Sequence, residues 1–240
     1  MKVLNVAVVV LAAMAYASGR CMAQDTATGR RSAAQEDFRG RLVQRGLPAD
    51  LAASVAVVAQ TTAGKGLPAQ LIVNKAIEGW FKHVPPERIV GALRDLAQRL
   101  ERARAELSGS GVAATDGAII GAAAEARAQG VSRADAAAIV RAAPDPASAA
   151  AGLSVSAALV VQGLDAGASA RLVIGSFRAG RSAAQVLDLP AAARALQARG
   201  VAATDVGRQL LAGIGVDAQG SVIGRGNAKA PLIPQVPIHP

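Results

Sequence analysis

One local signature recurs along this chain and narrows its fold more than any other feature: a glycine, an apolar residue, then a residue that starts a helix. It stands at Gly46-Leu47-Pro48, Gly66-Leu67-Pro68, Gly130-Val131-Ser132, Gly152-Leu153-Ser154 and Gly163-Leu164-Asp165. His83-Val84-Pro85 is a variant with histidine in the glycine place. The glycine takes the left-handed position that ends one helix, and the apolar residue staples the turn. Ser or Asp then caps the next helix, and Pro fits its first turn. Starts lie 20 residues apart at Gly46 and Gly66, 19 at Gly111 and Gly130, 17 at Gly163 and Gly180, and 20 at Gly180 and Gly200. A helix of about three turns plus a tight turn fills such a unit, and two units make a hairpin the size of a helical solenoid repeat.

Longer identities reinforce the repetition. Gly111-Val112-Ala113-Ala114-Thr115-Asp116 recurs from Gly200 to Asp205, Arg31-Ser32-Ala33-Ala34-Gln35 from Arg181 to Gln185, and Gly46-Leu47-Pro48-Ala49 from Gly66 to Ala69. About a quarter of the chain is Ala, the strongest helix former and a residue depleted in strands. The expected fold class is therefore all-α, with short helices in a helical-hairpin repeat (solenoid-like) or an orthogonal bundle. With 52% hydrophobic residues the chain is too apolar for wholesale disorder.

Between the starts the apolar residues keep helical spacing. Leu51, Val55, Val58 and Thr62 share a face, as do Ile89, Leu93, Leu96, Leu100, Ala103 and Leu107. The second series has coiled-coil spacing but spans only three heptads, so packing within the chain is the expectation. Asp95 precedes Arg99 by four, the favourable order for an ion pair. The densest core is expected between Leu67 and Leu107, where Trp80 and Phe81 lie. Residues 146–164 carry no charge and read as a softer section. Their Ala, Ser and Gly content argues against a membrane span, and Gly152 reads there as a helix boundary.

The two ends read differently. Lys2 followed by an apolar run from Val3 to Ala15 and small-residue cleavage sites is the pattern of a secretory signal peptide. Cleavage after Ala23 is preferred to cleavage after Ala17. Arg20 before Cys21 speaks against lipidation, and a single cysteine allows no intramolecular disulfide. The organisation expected is a signal peptide over 1–23, a flexible linker over 24–31, an all-α helical-repeat domain over 32–213 and a disordered Gly/Pro-rich tail over 214–240. A first helix is expected near Ser32. No transmembrane segment is expected in the mature chain, and the location expected is periplasmic or secreted. The formal charge is +9, and from Gln24 onward 24 basic residues face 17 acidic ones.

Chemistry-bearing patterns are sparse. Two histidines, His83 and His239, and one cysteine cannot build an imidazole or thiolate metal site. Gly64-Lys65-Gly66 lacks both the first glycine and the Ser/Thr of a phosphate-binding loop. No Gly-x-Ser-x-Gly elbow occurs. The 2% aromatic content leaves no stacking platform for sugars or single-stranded nucleic acid. No metal, no cofactor, no catalytic residues and no specific nucleic acid are expected.

The expected function is that of an exported, noncatalytic helical-repeat protein acting as an interaction or scaffold module in the cell envelope, with a protein partner there. Trp80, Phe81, Arg88 and Arg94 are the candidate interaction surface, since Trp and Arg are enriched at binding hot spots; the competing reading of Trp80 and Phe81 is core. Two alternatives stand beside it. One is peripheral electrostatic binding of anionic membrane or polymer surfaces. The other is an enzyme with a carboxylate/His site around His83, drawing on Glu87 and Arg88.

Overall fold

The computed structural model describes residues 38–113 and 116–215. Among them there is no strand, and the fold is all-α. A short helical segment over 38–44 precedes α1 (Ala49–Gly64), α2 (Ala69–Phe81), α3 (Pro86–Ser108), α4 (Gly117–Ala128) and α5 (Arg133–Ala142). Next come α6 (Pro146–Val161), α7 (Ala166–Arg178), α8 (Ala183–Leu187), α9 (Leu189–Ala198) and α10 (Ala203–Gly213). The signal peptide, the linker, the helix start near Ser32 and the tail beyond Gly215 lie outside the described residues. Ile214, expected in the tail, instead closes α10 and is 1% exposed.

The helix ends repeat one hydrogen-bonding pattern. At Gly46 and Gly66 the backbone has φ of +84° and +69°, and the following Leu47 and Leu67 N–H groups donate to the carbonyls of Leu42 and Thr62, five residues back. This is the Schellman motif, which only a residue free to adopt positive φ completes without strain. Both leucines are buried, so the turn is stapled as well as closed. The same bonds recur after Gly111, Gly130, Gly163, Gly180 and Gly200. After Gly180 the stapling place is taken by Arg181, buried to 4% exposure, and burial pushes its guanidinium below the ordinary value.

Gly152 is not a boundary. It lies within α6, and the break falls earlier, at Pro144-Asp145-Pro146. There Asp145 caps α6 by accepting from Ser148 N–H at 2.8 Å, with Pro146 at the first helical position. A Cβ on Gly152 would stand 2.7 Å from Phe177 Cε2 and 3.0 Å from both Ile139 Cγ2 and Val173 Cγ1. The glycine thus serves close packing of α6 against α5 and α7, flanked one turn either way by buried Ser148 and Ser156.

The described residues form two compact units, 38–104 and 105–215. In the first, α1 packs on α2, and Leu51, Val55, Val58, Ile72, Val73, Leu93 and Leu100 are buried. Ile89 and Ala103 of the α3 series are buried there too and Leu96 is half-buried, while Leu107, also buried, belongs to the second unit. Among the described residues no ion pair joins Asp95 to Arg99, whose Nε is buried without a hydrogen-bond partner.

In the second unit α6 is the hub, packing on α4, α5, α7, α8 and α9. Pro190 supplies no N–H, so α8 and α9 are one helical element broken at Asp188. Counted so, each helix meets the next and the next but one: α4 with α5 and α6, α5 with α7, α7 with α10, and α9 with α10. Each helix of this unit thus packs on its near neighbours in sequence. The charge-free stretch expected to be soft is instead core, with Leu153, Val155, Ala157 and Leu159 buried. No helix of the described residues is long and apolar enough to cross a membrane.

Helix-end carbonyls that the turns leave open are met from further along the chain. Arg104 donates to Lys65 O, Arg141 Nη1 to Ser110 O at 3.1 Å, and Gln197 Nε2 to Gln162 O at 3.0 Å, at separations of 39, 31 and 35 residues. The 39-residue span equals two of the glycine-to-glycine units, whereas the spans of 31 and 35 are shorter.

Candidate functional site

The corner between α2 and α3 breaks the junction rule in one respect. It has the full hydrogen-bond pattern, with His83 N–H donating to Trp80 O at 2.9 Å and Val84 N–H to Gly79 O at 3.0 Å. The left-handed place, however, is filled by His83 at φ +55°, the one non-glycine with positive φ among the described residues. A side chain there costs about 1 kcal/mol or more relative to relaxed backbone.

The same corner exposes an aromatic ring. Phe81 is 64% exposed, while Trp80 is half-buried. Helix geometry explains the difference. Ile72, Val73 and Ala76 define the buried face of α2. At 100° per residue, Phe81 falls half a turn from Ile72 and Trp80 stays nearer the buried face. Core is therefore the wrong reading for Phe81. The corner is held firmly: Gly79 packs so close to α3 that a Cβ there would stand 3.1 Å from Ile89 Cγ1.

Charged residues neighbour Phe81 along the chain. Glu78 lies between Lys75 Nζ, at 2.9 Å, and Lys82 Nζ. Partial burial raises the Glu78 pKa, but the hydrogen bonds from Lys82 and Lys75 outweigh it and hold the carboxyl below its ordinary value. Lys82, His83, Pro85, Pro86, Glu87 and Arg88 are all exposed. The Lys75–Glu78–Lys82 cluster was not anticipated, though its spacing of three and four along α2 is the signal that marks such pairs.

Of the four residues expected to form the surface, Trp80 and Phe81 end α2 and Arg88 lies in the first turn of α3, on either side of this corner. Arg94 is exposed on α3 but lies six residues beyond Arg88, about 120° around the helix axis, so the two do not form one patch. His83, Glu87 and Arg88 share the corner, yet no side-chain hydrogen bond links them among the described residues. No three His, Cys, Asp or Glu residues converge as a metal-binding group among the described residues. Comparisons with protein-family models, with curated proteins and with solved structures find no match to the chain.

Proposed function

We propose that the protein is an exported, noncatalytic interaction module of the cell envelope, and that it meets its partner at the α2–α3 corner. The observation that carries this reading is the coincidence of Phe81 exposure with the strained His83 junction. A helix-repeat chain closes its other described turns of this kind with glycine, and it keeps most of its large apolar side chains inside. Backbone strain retained at one position is a pointer to use rather than to stability. An exposed aromatic with an arginine nearby in sequence has residue types enriched at binding interfaces.

Export rests on the amino-terminal pattern of Lys2, the apolar run and the small-residue cleavage sites. The noncatalytic character is supported by the composition, which provides few nucleophile–base or ligand sets.

Affinity capture from an envelope extract tests the reading, using tagged full-length chain and a Phe81→Ser variant. The expected result is one component retained by the parent chain and lost with the variant, while far-UV circular dichroism of the two is the same. Retention of the same component, protein or lipid, by both, or of neither protein nor lipid by the parent chain, defeats the proposal.

A further inference from the structure

We infer that the α2–α3 corner docks on an anionic phospholipid surface, with Phe81 entering the headgroup region between Lys82 and Arg88. This rests on the proposed interaction role and names the partner of the same site. The first support is the backbone. The N–H groups of Lys82, His83 and Val84 donate to the carbonyls of Glu78, Trp80 and Gly79, and Pro85 and Pro86 have no N–H. Five consecutive residues therefore present no unsatisfied donor, which lowers the cost of moving this turn's backbone from bulk water toward a lipid interface. The second support is the set of exposed side chains across the corner, where Phe81, Pro85 and Pro86 supply apolar surface among Lys82, His83, Glu87 and Arg88. Phe81 can be buried while Lys82 and Arg88 extend toward phosphate.

Charge complementarity selects the lipid. Glu78 is held between Lys75 and Lys82, leaving that cluster with net positive charge, and Arg88 offsets Glu87. From Gln24 onward 24 basic residues face 17 acidic ones, a net +7, so the long-range field attracts an anionic surface. A projecting ring on a turn suits a deformable interface, which needs no preformed pocket.

Trp80 is the sole tryptophan and stands next to Phe81, so its emission reports on this corner alone. Full-length protein is titrated with vesicles of mixed phosphatidylcholine and phosphatidylglycerol, with and without brominated acyl chains, and with phosphatidylcholine vesicles alone. The expected result is a blue shift of Trp80 and quenching by the brominated lipid on the anionic vesicles only, weakening as salt is raised. Phe81→Ser should partition roughly tenfold more weakly, and a Lys82→Glu/Arg88→Glu variant should lose binding to anionic vesicles. An unchanged Trp80 spectrum on anionic vesicles, or equal binding by Phe81→Ser, overturns the inference. A protein captured through Phe81 without vesicle binding also overturns it, and leaves the interaction-module reading standing.

Discussion

At the scale of single residues, Gly152 and His83 are mirror cases of one rule. Gly152 looks like a helix end because Leu153 and Ser154 come after it, yet it sits in mid-helix with Phe177, Ile139 and Val173 pressed against its Cα. Gly152→Ala gains up to about 1 kcal/mol of helix propensity but forces a methyl into contact from two neighbouring helices, for a net loss of about 1–2 kcal/mol. Urea denaturation measures it, and an unchanged midpoint contradicts the close packing. His83 is the reverse, a helix end without its glycine. His83→Gly relieves positive φ and should stabilise the chain by up to about 1 kcal/mol, read by the same titration. The sequence shows a glycine's identity but not its φ, which is why the two differ in legibility. Histidine in the variant motif could be placed because Val84 and Pro85 kept the rest of the pattern. Gly152 was misplaced because its partners lie in α5 and α7, far along the chain. Phe81 exposure was equally hidden, since its angle around α2 depends on which face the core selects.

At the scale of helices, the junction motif carries most of what was legible. The two Gly-Leu-Pro-Ala copies fold alike, with helices starting at Ala49 and Ala69. The two copies of Gly-Val-Ala-Ala-Thr-Asp share the turn at glycine and then diverge. Asp116 caps α4, which starts at Gly117, whereas Asp205 falls inside the first turn of α10. Pro190 and the Pro144–Pro146 break were legible as prolines, but their place between helices was not. The reach-back bonds were invisible, because they join residues more than thirty positions apart. Gln197→Ala should cost about 0.5–1.5 kcal/mol by leaving Gln162 O without that donor. An effect below the error of chemical denaturation removes the bond's energetic role.

At the scale of the whole molecule, composition set the class but hid one part of the core. Residues 146–164 hold few large side chains, yet α6 is the hub, since small residues let several helices approach it at once. The acidic residues have a common task at helix starts, where Asp116, Asp145 and Asp165 accept from backbone N–H groups. The hydrogen bonds from the Ser148 side chain and backbone hold Asp145 below its ordinary value of 3.8. Glu78 is likewise held below 4.5. Both stabilise the fold above those values and lose that contribution as pH falls through the lowered ones. Thermal stability should therefore be flat with respect to these groups from pH 7 to about 5 and decline in the acid range below them. A Tm that does not fall there rules out their contribution. The central claim, that the α2–α3 corner is where the protein meets the envelope, is tested most directly by Trp80 emission and its quenching by acrylamide in the presence of isolated envelope fractions. A blue shift with reduced quenching in the parent chain, absent in Phe81→Ser, is the expected result. Co-sedimentation with the envelope while Trp80 keeps its emission and its quenching would contradict it.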